Sequence, residues 1–196
     1  INNGIEWEEE GHSEAKILSA DIVMKSPGIP DKAPIVKKLR EKGVKVISEI
    51  EFAAKYTKVT IVGITGSNGK TTTASLTYKL LKDGGLNVAL GGNIGKSFAE
   101  QVSEEKYENF VLELSSFQLD GIETFTPHIA VLTNLSPDHL DRYDYKYENY
   151  IASKFRITMN QTSQDYFIYD ADDVEIIKWL SQNSIKSQPL PFSVKK

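Results

Sequence analysis

Eleven residues, Gly63-Ile64-Thr65-Gly66-Ser67-Asn68-Gly69-Lys70-Thr71-Thr72-Thr73, constrain this chain more than any other stretch. They follow an apolar β-branched run, Val59 to Val62, and open a helical pattern from Ala74 to Lys82. Strand, glycine-rich turn, Lys-Thr and helix is an arrangement that binds nucleotide phosphates. The glycines let the backbone turn its N–H groups toward phosphate oxygens. Lys70 adds a positive charge beside the β and γ oxygens, and the Thr71 hydroxyl can ligate the accompanying magnesium. The strict pattern has a glycine five residues before Gly69, where this chain has Ile64. That departure points to a subclass of the motif; the bland alternative is a glycine-rich turn with an exposed lysine.

At 196 residues the chain is long enough for one full domain, or a domain plus a fragment. A net charge of -4 and the lack of any basic block give no support for nucleic-acid binding. No apolar stretch approaches the ~18 residues of a membrane span, and no signal-peptide pattern opens the chain. The count of 0 cysteines excludes disulfide and thiolate-metal chemistry and fits a cytoplasmic home. The opening at Ile1 and the final run Leu190 to Val194, which reads as a strand, suggest a piece of a longer protein.

Taken in order, Asp21 to Met24 reads as a strand that stops at Ser26-Pro27-Gly28-Ile29-Pro30. Pro34 to Lys42 reads as a helix, Val44 to Ile47 as a strand, and Glu49 to Tyr56 as a short helix capped by Ser48. This looks like the tail of a βαβ domain, with residues 1–57 in that first unit and 58–196 in a second. The second unit alternates strands and helices. After the phosphate loop come strands at Asn87 to Leu90, Phe110 to Leu114, Ile129 to Leu132 and Tyr166 to Tyr169. Helices are read up to Val102, from Tyr147 to Met159 and from Asp172 to Ser181. The expected fold is α/β: a mostly parallel sheet with a P-loop-type nucleotide-binding unit, preceded by the tail of a Rossmann-like domain.

In an open parallel sheet, ligands bind at the carboxyl ends of the strands. Here those ends carry Asn93, then Glu113, Ser115, Ser116 and Gln118, then Thr133, Asn134, Ser136, Asp138, His139, Asp141 and Arg142. Glu113 interrupts an apolar run; burial demands a partner, either a metal shared with ATP or a neighbouring Lys or Arg. His139 is a metal-ligand candidate or an incidental loop histidine. Asp138 and Asp141 equally suit caps for the next helix. Tyr147, Tyr150, Ile151, Lys154 and Ile157 share a helical stripe, so Lys154 points inward. Either its stem snorkels, or the amine, carbamylated by carbon dioxide, becomes an anionic oxygen ligand at the metal centre.

Together the motifs resemble the Mur ligase family of peptidoglycan synthesis. The matching pieces are Gly63 to Thr71, Gly92-Asn-Ile-Gly95, Leu112-Glu-Leu-Ser-Ser-Phe-Gln-Leu119, Asn134 to Tyr143 and Tyr150-Ile-Ala-Ser-Lys154, with Lys25 to Pro30 before them. Glu-Leu-Ser-Ser-Phe-Gln-Leu and Asp-His-Leu-Asp-Arg-Tyr look like the D-glutamate-adding branch. The resemblance implies a cytoplasmic, monomeric, ATP-dependent ligase that joins D-glutamate to UDP-N-acetylmuramoyl-L-alanine through an acyl phosphate. It implies that Gly66, Ser67, Asn68, Gly69, Lys70, Thr71 and Thr72 bind ATP. Thr71 and Glu113 would ligate a first Mg2+, and His139 and carbamylated Lys154 a second. Ser26, Pro27, Gly28, Asn93, Ser115 and His139 would contact the nucleotide-linked substrate, and Lys70, Asn93, His139 and Lys154 would serve catalysis. It further implies an incomplete central domain, no amino-acid-binding domain and no ligation by this piece alone. Outside that family, the motifs leave open a small-molecule kinase or a non-catalytic nucleotide-binding module.

Overall fold

A computed structural model describes residues 4–195. Two sheets organise the chain, and every described strand pairing in both is parallel. The first unit runs α1 (Glu14–Leu18), β1 (Ile22–Met24), α2 (Pro34–Glu41), β2 (Lys45–Ile47) and α3 (Glu49–Ala54), with β1 and β2 paired. Pro34 opens α2 at its first turn, where a missing N–H costs nothing. Ser48 caps α3 by accepting from the Glu51 N–H.

The second unit contains β3 (Thr60–Thr65), α4 (Lys70–Asp83), β4 (Val88–Gly92), α5 (Phe98–Ser103), β5 (Asn109–Glu113) and α6 (Ser116–Asp120). It continues with β6 (Ile129–Leu132), α7 (Tyr147–Phe155), β7 (Tyr166–Asp170), α8 (Val174–Gln182) and β8 (Gln188–Phe192). The strand order β4-β5-β3-β6-β7-β8 puts the phosphate-loop strand near the middle. In its neighbours, Phe110 to Leu112 and Ile129 to Leu132 are apolar because helices cover both faces of a parallel sheet. Phe98, Phe110, Leu112, Leu114, Phe125, Leu132, Tyr150 and Phe167 are among the residues that form the larger core on one face. Val62, Ile64, Ala74, Val111 and Val131 form a smaller one beneath α4.

Several boundaries differ from expectation for physical reasons. The phosphate-loop helix starts at Lys70 rather than Ala74, directly after Gly69 at φ 78°. The strand expected to end at Leu90 continues through Gly91 and Gly92. There a side chain at Gly92 would strike the Glu113 carbonyl at 2.3 Å, and φ is 92°, so only glycine fits. The helix expected through Met159 tightens after Phe155 into a 3-10 turn, Arg156–Thr158. At that point the Arg156 guanidinium donates to the carbonyls of Leu119 and Ile122. Asp138 and Asp141 cap nothing: the turn Leu140–Arg142 follows His139 at φ 50°, and α7 follows Lys146, neither with a side-chain cap.

Candidate functional site

Parallel pairing brings the carboxyl ends of β3, β4, β5 and β6 to one rim. Register sets Ile64 opposite Glu113 and Glu113 opposite Gly92, so three strand ends lie side by side. Glu113 is 2% exposed. Its Oε2 accepts from the Thr71 hydroxyl at 2.6 Å and its Oε1 from the Asn93 amide at 2.8 Å. Among the described residues no Lys or Arg pairs with it, so the ion-pair reading of this buried carboxylate does not hold. The Asn93 N–H also donates to the Glu113 carbonyl at 2.8 Å, which fixes the turn that delivers the amide.

The glycine-rich turn is strapped to the segment after β6. Ser67 N–H donates to the Asn134 carbonyl, and Asn68 N–H to Asn134 Oδ1 at 3.0 Å. Thr133 Oγ1 and Asn134 Nδ2 both donate to the Asn68 carbonyl, at 2.8 and 3.0 Å. Ser67 Oγ lies 2.9 Å from both the carbonyl and the N–H of Ser136, and 3.0 Å from the Tyr150 hydroxyl. At Gly66, φ is 144° and a Cβ would sit 2.0 Å from Thr133 Oγ1, which leaves no room for another residue. Asn68, Gly69, Thr71 and Thr72 face solvent; the Asn68 N–H is held by Asn134, while the first-turn N–H groups of α4 after it are placed to meet an anion. The Lys70 ammonium folds back onto the Ser67 carbonyl at 2.9 Å.

Lys154 is 2% exposed, which removes the snorkelling reading. Its Nζ lies 3.3 Å from Thr65 Oγ1 and 5.3 Å above the centre of the Tyr150 ring. Burial first, then the charge of Lys70, bring its amine down to about 7; Asp138, Asp120 and Glu113 pull the other way. Those named influences put Lys154 within electrostatic reach of both the phosphate turn and Glu113.

His139 stands further out. Its side chain is 54% exposed, with Nε2 3.5 Å from Asp138 Oδ2 and the ring 5.1 Å from that of Phe117. Ser115 is engaged in a capping box: its hydroxyl serves the Gln118 N–H while Gln118 Oε1 accepts from the Ser115 N–H. Ser26, Pro27 and Gly28 lie on the loop after β1, tied across the molecule by Arg142, whose Nη2 donates to the Pro27 carbonyl at 3.2 Å. Asn134, Ser136 and Tyr150 had no assigned role in the sequence. Tyr150, one turn before Lys154 on the same stripe, carried the available signal.

A hydroxyl and a carboxylate in contact form a hard-oxygen pair suited to magnesium, which binds through one or two carboxylates, phosphate oxygens and water. Thr71 and Glu113 therefore fit a magnesium ion. Among the described residues no group of three or more His, Asp or Glu side chains could hold an ion unaided. A second ion would need an oxygen donor on Lys154, because an ammonium or amine there is no partner for it.

Comparison with known proteins bears on family and fold. The model of the Mur ligase middle domain matches residues 64–195. A UDP-N-acetylmuramoylalanine--D-glutamate ligase of Christiangramia forsetii is 67% identical over 192 residues, covering 98% of this chain and 43% of that protein. One of Bacteroides fragilis is 58% identical over 191 residues, covering 97% and 43%. The chain thus spans less than half the length of these relatives. Among solved structures, the UDP-N-acetylmuramate:L-alanyl-gamma-D-glutamyl-meso-diaminopimelate ligase of Neisseria meningitides aligns with TM-score 0.63 at 19% identity, over 92% of this chain and 62% of that one. The MurF ligase of Thermotoga maritima, solved in complex with ADP, aligns with TM-score 0.57 at 21% identity, over 92% and 52%. At such identities the likeness concerns the fold. The match of the middle-domain model over most of its length shows that the chain belongs to the Mur ligase family.

Proposed function

We propose that this chain carries the phosphoryl-transfer part of an ATP-dependent ligase that adds D-glutamate to UDP-N-acetylmuramoyl-L-alanine in peptidoglycan synthesis. The observation that carries the reading is the Thr71–Glu113–Asn93 chain of hydrogen bonds at three adjacent strand ends, with Lys154 buried beside it. The substrate carboxylate attacks the γ-phosphorus of ATP, and ADP leaves, giving an acyl phosphate. The amine of D-glutamate then attacks the acyl carbon, and phosphate leaves as the amide forms.

In this reading the turn from Gly66 to Thr72 cradles the phosphates, chiefly through the N–H groups after Asn68 because those of Ser67 and Asn68 are held by Asn134, and Lys70 swings from the Ser67 carbonyl to the transferring oxygens. Thr71 and Glu113 would hold one Mg2+, and His139 with carbamylated Lys154 a second; such ions supply charge neutralisation in an in-line transfer. Burial supports the carbamate, because a free neutral amine is the form that adds to carbon dioxide, and burial raises its share near neutral pH. Asn93, Ser115 and His139 orient the muramoyl-alanine portion, and Ser26, Pro27 and Gly28 the uridine end. We also place the boundary between substrate-binding and central units near residue 57, and a monomer in the cytoplasm, where ATP is plentiful. Among the described residues no helix is long and apolar enough to cross a membrane.

The test uses the whole protein that carries this chain, supplied with ATP, Mg2+, UDP-N-acetylmuramoyl-L-alanine and a panel of amino acids. ADP release coupled to amide formation with D-glutamate is expected, and loss of turnover in Lys154→Ala with partial rescue by short carboxylates. Phosphate passed to a hydroxyl, or amide formed only with another amino acid, overturns the reading. The 196-residue chain alone is expected to bind a nonhydrolysable ATP analogue with Mg2+ but to form no amide.

A further inference from the structure

Arg142 touches both units at once. Its Nη2 donates to the Pro27 carbonyl at 3.2 Å, with longer approaches of 3.5 Å to the carbonyls of Gly28 and Ile29. The same guanidinium lies 4.3 Å over the Phe117 ring, and that ring stands 5.1 Å from the imidazole of His139. Among the described residues Arg142 forms no ion pair with a carboxylate, so its donors go to loop carbonyls and its flat face to an aromatic ring. A planar fork of donors that also stacks is what arginine offers and lysine does not. Lys32 adds a parallel tie, its Nζ 3.3 Å from the Asp141 carbonyl. His139 itself has φ 50°, a left-handed conformation uncommon among residues other than glycine.

We propose that Arg142 is a positioning residue that couples the Ser26-Pro27-Gly28 loop to His139, so that a ligand held by the loop sets where the imidazole stands. The chain of contact is carbonyl to guanidinium, guanidinium to Phe117, and Phe117 to His139. The second half of the claim rests on the proposed function, in which loop and imidazole meet the two ends of one nucleotide-linked substrate. The coupling itself does not.

The test reads the His139 ring by NMR; only two other histidines, His12 and His128, need to be told apart from it. Pro27→Ala, which disturbs the loop, is expected to shift the His139 signal when Arg142 is present and to leave it unmoved in an Arg142→Ala background. An unmoved signal with Arg142 present, or an equal shift without it, overturns the coupling. Should Arg142→Ala fail to fold, Arg142→Lys keeps the charge and loses the fork and the stack; full retention of the shift there overturns the proposal equally. In the whole protein, Arg142→Lys is expected to raise KM for UDP-N-acetylmuramoyl-L-alanine about tenfold and to change KM for ATP by less than about twofold. Equal changes in both mean general loosening and overturn the positioning role. If the unsubstituted protein does not use that substrate, the functional reading fails, and the NMR comparison still decides the coupling.

Discussion

At Lys154 the ordinary amine value of 10.5 falls to about 7, chiefly through burial and next through Lys70. The unfolded chain therefore binds a proton between pH 7 and 10.5 that the folded chain does not. Stability rises with pH across that window, and the penalty is complete only below pH 7. Lys154→Met keeps the apolar stem and removes the charge. In carbonate-free buffer it is expected to be more stable than the unsubstituted protein by about 4 kcal/mol at pH 7, with the gap closing toward pH 10.5. Urea unfolding at pH 7, 8.5 and 10 checks this; a gap that stays constant contradicts the burial account. Glu113 meets the same low-polarity surroundings differently, through a hydroxyl and an amide that satisfy both oxygens. A buried lysine with one long hydrogen bond beside a fully satisfied carboxylate is a site whose cost is concentrated in one group.

Strand β8, Gln-Pro-Leu-Pro-Phe, is the element that most defies propensity. Gln188 N–H donates to the Asp165 carbonyl and the Phe192 carbonyl accepts from Ala171, so alternate residues 188, 190 and 192 face β7. Pro189 and Pro191 face the open edge, where a missing N–H breaks no ladder and denies a template to another strand. Leu190 and Phe192 are 46% and 41% exposed, so an unprotected edge there would be adhesive. Replacing both prolines by valine is expected to leave the fold intact and to produce concentration-dependent self-association, read by light scattering. Equal monodispersity would remove this role for the prolines. The prolines also explain why that strand was expected two residues late, at Leu190 to Val194: a run with two breakers reads as loop until its pairing side is known. Strands β3, β5 and β6 were legible because each carries a short run of apolar residues rich in valine, isoleucine, leucine or phenylalanine. Helices α1 and α6 were not, since five residues carry too little periodicity, although Ser115 and Gln118 stood at capping-box spacing. In the site, the strand-end rule foretold that Glu113, Asn93 and the phosphate turn would meet. The Arg142–Phe117–His139 stack was invisible, because contacts between backbone carbonyls, a guanidinium and a ring leave no pattern in sequence.

Shared packing of Ile50 and Ala53 and a set of polar ties join the two sheets, and Glu51 accepts four of the hydrogen bonds. Its side chain is fully buried and accepts from the N–H groups of Glu123, Thr124 and Phe125 and from the Thr124 hydroxyl. Burial alone would raise its carboxyl, but these donors outweigh it and the net value is lowered. Ser48 N–H adds a bond to the Gly121 carbonyl at 2.8 Å, on the same side of the joint. The unit these ties hold is slight: β1 and β2 have three residues each, Ile22 and Met24 are exposed, and α1 buries nothing. Within these 196 residues a two-stranded parallel unit has little independent stability, so its order is borrowed from the six-stranded sheet, through Glu51 and through the packing of Ile50 and Ala53 in the larger core. Glu51→Ala leaves three N–H groups and a hydroxyl without their acceptor, a loss of about 3 kcal/mol. Amide exchange in β1 and β2 is then expected to approach that of exposed loops, while β3, β5 and β6 keep their protection. Because the carboxyl value is lowered, its contribution is present above pH 4.5 and fades as pH falls below that. Protection in β1 and β2 of the unsubstituted protein should therefore drop on acidification before the central sheet changes, and the alanine variant should lack that step. Uniform loss across both sheets in Glu51→Ala would mean that they unfold as one body, with no borrowed order in the smaller.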